Sequence, residues 1–133
     1  FTNGCFDLLH RGHIDYLSKA AGFGDFMIVG LNSDTSVRKL KGENRPINDE
    51  QSRAIILASL CFIDTVIIFN EETPLNLIQS IKQDVLVKGG DYKKEHIVGS
   101  DLIIKNGGEV KIIDFLPGYS STNIEAKIKS FKK

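Results

Sequence analysis

Short, continuously apolar runs separated by helix-patterned stretches leave this chain few folds to adopt. "FMIVGL" (26–31), "TVIIF" (65–69), "VLV" (85–87) and "VKII" (110–113) are rich in β-branched residues and bounded by Gly, Asp or Asn, the marks of strands. Continuous rather than alternating hydrophobicity predicts strands covered on both faces, as in a parallel sheet. Phe1 and Thr2 end a first strand, so the chain opens inside an element and sequence upstream of Phe1 is expected. Between these runs the apolar residues take helical spacing. Ile14, Leu17 and Ala21 share one face of a first helix that ends near Gly22 and Gly24. "NDEQSRAIILASL" has Asn48 or Asp49 as N-cap, with Ile55, Ile56 and Leu60 as its apolar side. "TPLNLIQSIK" offers Thr73 as cap and Pro74 at the first helical position. A last helix from about Thr122 aligns Ile124, Ile128 and Phe131, and carries lysines toward its C-terminal end, where the helix dipole favours them.

Strand and helix alternating five times imply right-handed crossovers. The expected architecture is α/β: a Rossmann-like three-layer sandwich with a five-stranded parallel sheet, formed by residues 1–133 as one domain. Ligands in such sheets sit beyond the carboxyl ends of the strands. Segments 3–13, 32–48, 88–96 and 114–122 should therefore carry the chemistry.

Charge narrows the partners. Lys plus Arg equals Asp plus Glu at 17 each, so no global field draws the chain to nucleic acid or membrane, and any bound anion must be held locally. With only Cys5 and Cys61, no apolar run of 18 residues and no signal-like start, the expectation is a reduced, cytoplasmic protein with no disulfide framework.

The stretch "CFDLLHRGHIDYL" (5–17) holds two of the three histidines. His10 and His13 fall one turn apart where a helix begins, beside backbone N–H groups that already favour an anion. Gly4 permits close backbone approach, and Gly12 keeps bulk out of the gap between the imidazoles. A phosphate clamp is one reading. A helix cap plus a packed histidine is another, and a zinc site with Cys5 is a third, though it lacks a fourth ligand. "PGYSSTNI" repeats the pattern: Gly118 turns the chain, and Ser120, Ser121 and Thr122 place hydroxyls at another helix start, either as an ordinary cap or as a second phosphate site. In 32–48, Arg38, Lys39, Lys41 and Arg45 make either a solvated loop or a mobile arm that neutralises charge during reaction. "KGGDY" (88–92) has two glycines to approach a flat base, with Asp91 or Tyr92 for a ribose or ring. Neither G-x-x-x-x-G-K-[ST] nor G-x-G-x-x-G occurs, and no nucleophilic Ser or Cys lies beside an obvious base.

"GCFDLLHRGH" together with "GYSSTNI" resembles the cytidylyltransferase-like nucleotidyltransferases, with their His-x-Gly-His motif and Ser/Thr-rich turn before the last helix. Within that superfamily, "GLNSDTSVRKLKGENRPI", "LVKGGDY" and "GGEVKIIDFLPGYSST" are similar to the adenylyltransferases of ADP-heptose synthesis, from Phe1 to about Ile128. The resemblance implies transfer of AMP from ATP, with Mg²⁺ held mainly by the phosphates, to D-glycero-β-D-manno-heptose 1-phosphate. The products would be ADP-heptose, a lipopolysaccharide core precursor, and pyrophosphate. It implies catalytic roles for His10, His13 and Lys41. Gly4, Cys5, Phe6, Gly89 and Asp91 would border the nucleotide, and Ser120, Ser121 and Thr122 would hold its β,γ-phosphates. Asp7, Arg38, Lys41 and Arg53 would serve the acceptor and phosphates. A homodimer and a fused or separate sugar kinase are the implied partners. The glycerol-phosphate cytidylyltransferases carry an arginine three residues before the glycine of the last motif. Phe115 stands there instead, which fits an adenine user. Two rivals remain open: another phosphorylated acceptor such as glycerol 3-phosphate, or a nucleotide-binding module without turnover.

Overall fold

Why the strands end where they do is visible in the computed structural model, which describes residues 1–90 and 92–131. Five strands form: β1 (Thr2–Gly4), β2 (Ile28–Asn32), β3 (Thr65–Phe69), β4 (Val85–Gly89) and β5 (Glu109–Ile113). All pair in parallel, as continuous hydrophobicity predicts, but in two ladders, β1-β2-β3 and β4-β5, rather than one five-stranded sheet. The reason lies at Phe1. Its nitrogen donates to the Val85 carbonyl (2.8 Å) and its carbonyl accepts from the Val87 N–H (2.8 Å). These bonds set β4 beside the start of β1, where β1 is too short to extend a regular ladder. Tyr16 reinforces the junction, its hydroxyl lying 2.6 Å from Thr2 Oγ1 and donating to the Val87 carbonyl (3.1 Å). Burial pushes that phenol up to about 12, so it stays protonated and keeps donating.

Among the described residues six helices flank the strands: α1 (Arg11–Ala21), α2 (Asp34–Lys41), α3 (Glu50–Ala58), α4 (Leu75–Ile81), α5 (Ser100–Lys105) and α6 (Ser121–Lys129). Side chains alternate across each strand, which builds two cores. One gathers Leu17 of α1 and Leu57 of α3 on Val29, Leu31, Val87 and Ile113. The other gathers Ile78 of α4 and Ile103 of α5 on Phe1, Leu86 and Val110. Strands with apolar residues on both sides need both layers, so the three-layer arrangement holds.

Several expectations change. Residues 32–48 are not one arm: Asp34–Lys41 is helical, because the Ser33 hydroxyl caps it by accepting from the Ser36 N–H (3.2 Å). Of the two candidate caps of α3, Asp49 takes the position, accepting from the Ser52 N–H (2.7 Å). Pro74 rather than Thr73 is the N-cap of α4. α3 turns Ile55 and Ile56 outward and buries Arg53 and Leu57. The last helix begins one residue early, at Ser121, and Ile128 and Phe131 are exposed. A short 3-10 turn at Lys94–His96 and helix α5 lie where no element was expected.

Candidate active site

A cleft of about 950 Å³ opens beyond the carboxyl ends of the strands, where a doubly wound sheet places its ligands. All four expected segments reach it, through Gly4–Asp7, His10, Gly12 and His13, then Leu40, Lys41 and Arg45, then Lys88, Gly89, Tyr92 and His96, then Phe115, Leu116 and Tyr119–Thr122.

The histidine pair sits at its centre. His10 is the extended N-cap of α1, and its ring stacks on that of His13 with centroids 3.8 Å apart and planes at 20°. The His10 N–H donates to His13 Nδ1 (3.3 Å). A neutral imidazole that accepts at Nδ1 carries its proton on Nε2, so the bond leaves the Nε2–H of His13 free to donate. Phe6 meets the His13 ring edge-on at 5.3 Å. Burial, the adjacent His10 and the charge of Lys41 lower His13 to about 4, and burial also lowers His10. The pair is neutral at pH 7. Capping and packing are thus both present, yet both rings still line the cleft. The glycine between them keeps the fit tight: a Cβ on Gly12 would lie 3.0 Å from the His10 ring and 3.0 Å from Tyr119 Cβ. For the zinc reading, no group of three or more His, Cys, Asp or Glu among the described residues is placed to hold a metal.

The second helix start faces the first. Gly118 has φ +88°, a left-handed turn that suits glycine. Ser120 caps α6 by accepting from the Asn123 N–H (3.0 Å), and Ser121 donates to the Leu8 carbonyl (3.2 Å). That last bond ties the two helix starts together across 113 residues. Arg11 reaches Tyr119 from below, with its guanidinium carbon 5.9 Å from the ring centre.

Phe115 lies over Gly89 and Gly90. A Cβ on Gly89 would come 2.5 Å from its ring, and one on Gly90 2.7 Å. These glycines make room for an aromatic ring of the protein itself, which the dipeptide alone did not reveal. Asp91 lies outside the described residues.

Three candidates have other duties. Asp7, 5% exposed, accepts from the N–H groups of Ile47 (2.8 Å) and Asn48 (2.8 Å) and pairs with Arg45. Its carboxylate fixes the 42–49 loop while the residue still lines the cleft. Arg53, 1% exposed, donates to the carbonyls of Cys5, Asn32 and Asn48 and pairs with Asp34 at 2.8 Å. It fastens the ends of β1 and β2 to α2 and α3, so it positions the cleft without lining it. Arg38 is exposed on α2 and does not line the cleft either. Lys41, the last residue of α2, does. Arg45 also lines it, held between Asp7 and Glu125 of α6. Lys88, half-buried near the end of β4, and the Glu72–Pro74 and Ile97–Val98 walls were missed. A lysine at the end of a strand that feeds the site was the available signal.

A doubly wound α/β domain with two helix starts meeting at the cleft beyond its strand ends is the class of fold that binds phosphorylated ligands. The chain belongs to the cytidylyltransferase-like family, whose profile matches residues 1–127. It is 57% identical over 132 residues to the bifunctional protein HldE of Campylobacter concisus, covering 99% of this chain and 27% of that one. Against the bifunctional protein HldE of Geobacter metallireducens it is 59% identical over 128 residues, covering 96% and 26%. The chain thus spans about a quarter of the length of these relatives. Among solved structures it is similar to a lipopolysaccharide core biosynthesis protein from Thermoplasma volcanium, with TM-score 0.67 and 32% identity over 86% of this chain and 93% of that one. Among the described residues no helix is long and apolar enough to cross a membrane.

Proposed function

We propose that this domain transfers AMP from ATP to a sugar 1-phosphate, D-glycero-β-D-manno-heptose 1-phosphate, releasing pyrophosphate and an ADP-sugar for lipopolysaccharide core synthesis. The observation that carries the reading is the stacked, neutral His10–His13 pair at the start of α1, facing the Ser120–Thr122 turn across one cleft. Two anion-ready helix starts at one cleft suit a polyphosphate held at both ends. A sugar 1-phosphate has its second pKa near 6, by analogy with phosphorylated side chains, so it is already mostly a dianionic nucleophile at pH 7. No general base is needed. The protein's work is to hold two repelling anions in line and to stabilise charge that grows at the α-phosphorus. His13 Nε2–H and the first N–H groups of α1 donate to that phosphate, and Lys41 neutralises it from the end of α2.

Magnesium belongs to the nucleotide in this scheme. Asp7 and Glu72 are the carboxylates among the described cleft residues, and Asp7 is spent on the loop. The donor set suits an ion carried in on the phosphates rather than one caged by the protein. The sugar kinase expected as a partner would be the other function of a bifunctional polypeptide like the relatives'. Pyrophosphate release, assayed over a panel of ATP and CTP against sugar 1-phosphates and glycerol 3-phosphate, tests the reading. It should be fastest with ATP and the heptose 1-phosphate. Preference for CTP with glycerol 3-phosphate would shift the assignment to a sibling activity, and ATP binding without release for any acceptor would make the domain a binding module.

A further inference from the structure

Two polar side chains on the cleft floor have no task in that scheme. Lys88 is the last residue but one of β4, Asn3 lies in β1, and both line the cleft. The strand junction makes them neighbours. Phe1 bonds to both Val85 and Val87, so it stands opposite Leu86, and the same parallel register carried two residues on brings Asn3 level with Lys88. Alternation then places both on the sheet face of Phe1 and Leu86, away from Tyr16 and Val87. That is the α4–α5 side, where Glu72, Thr73 and His96 continue the wall.

Neither side chain is satisfied by the protein. Asn3 Oδ1 is buried with no donor. Among the described residues, no ion pair or hydrogen bond engages the Lys88 ammonium, which lies over the face of the Tyr92 ring at 6.0 Å, and burial lowers its pKa. A half-buried cation with no carboxylate partner among the described residues is relieved by an incoming anion, and a buried acceptor by an incoming hydroxyl. Side by side they match a phosphate with a hydroxyl next to it. We propose that Lys88 and Asn3 form the acceptor subsite, Lys88 donating to the phosphate of the phosphorylated sugar and Asn3 Oδ1 accepting from one of its hydroxyls. Nucleotide and acceptor then reach the strand ends from opposite sheet faces, with the histidine pair on one side and Lys88 on the other. This subsite rests on the transferase reading, and the test separates the two.

Steady-state pyrophosphate release and calorimetric binding of the heptose 1-phosphate in the presence of a non-hydrolysable ATP analogue are compared for the parent, Lys88→Met and Lys88→Arg. Lys88→Met should raise the acceptor KM at least about ten-fold, the loss of one charge-assisted hydrogen bond, and leave the ATP KM within about two-fold. Arginine should restore most of the affinity. If the parent turns over but Lys88→Met leaves the acceptor KM unchanged, or raises the ATP KM instead, the subsite is wrong. If no acceptor supports turnover, the transferase reading fails alone, and calorimetry decides the subsite. Binding lost in Lys88→Met upholds it, and equal binding, or none to the parent, overturns it. Should Lys88→Met fail to fold by thermal melting, Lys88→Gln carries the same comparison.

Discussion

The His10–His13 stack fixes protonation before any substrate arrives. Burial, reinforced by the repulsion of a second imidazolium 3.8 Å away and by Lys41, holds His13 near 4 against an ordinary 6.5. The unfolded chain therefore takes up a proton at His13 as pH falls below 6.5, and the folded protein resists it until about pH 4. Stability should decline through that window, and His13→Gln should flatten the decline in melting temperature against pH. His13→Ala should keep the fold, since Leu17, Val29, Leu31 and Leu57 pack in the core without its imidazole, but lower turnover by at least about two orders of magnitude, the usual cost of one transition-state donor. A variant that unfolds while retaining specific activity would return His13 to a packing role. Phe115 is 65% exposed on the Gly89–Gly90 backbone, beside the expected base. Phe115→Arg should weaken ATP use by about ten- to a hundred-fold and allow slight CTP use, on the scale of one charged hydrogen bond. Unchanged kinetics for both nucleotides would place the base elsewhere.

Single elements differ in how openly the sequence declares them. α1, α3 and α6 announce their starts through His10, Asp49 and Ser120 within a residue or so, because caps are local chemistry. α2 stayed hidden. Its cap Ser33 follows directly on β2, and its charged face, "DTSVRKLK", reads as a loop. What makes it a helix is tertiary: Ser36 bonds to Asn32 and the Glu71 carbonyl, and Val37 is fully buried. α5, six residues long, has too few turns for a periodic signal. Arg53 misled for a related reason, since nothing in its own segment shows that four backbone and side-chain acceptors wait around it. Arg53→Met should therefore cost about 3–5 kcal/mol in urea unfolding, through an unpaired Asp34 and stranded carbonyls. A loss below about 1 kcal/mol would mean the network is ornamental. Lys41→Ala, at the cleft end of α2, should leave stability intact and reduce kcat instead.

Across the whole molecule, alternation of strand and helix was enough to specify two cores, parallel pairing and a cleft at the strand ends, because those follow from period and connection handedness. The break between the β1-β2-β3 and β4-β5 ladders was not legible, since it depends on how far β1 runs beside β4. Nor was the split of the cleft into a histidine side and a Lys88 side, which requires the register of strands far apart in sequence. The proposed reaction is a direct, in-line attack of a sugar phosphate on the α-phosphorus, held by the His10–His13 helix start with no covalent intermediate. The most direct test runs the reaction with one diastereomer of ATP carrying sulfur on the α-phosphorus, and reads the configuration of the ADP-sugar product by ³¹P NMR. A single displacement predicts a sugar-linked diphosphate with inverted configuration at that phosphorus. Retained configuration would mean that AMP passes through the protein, with one imidazole as nucleophile, and would contradict the claim.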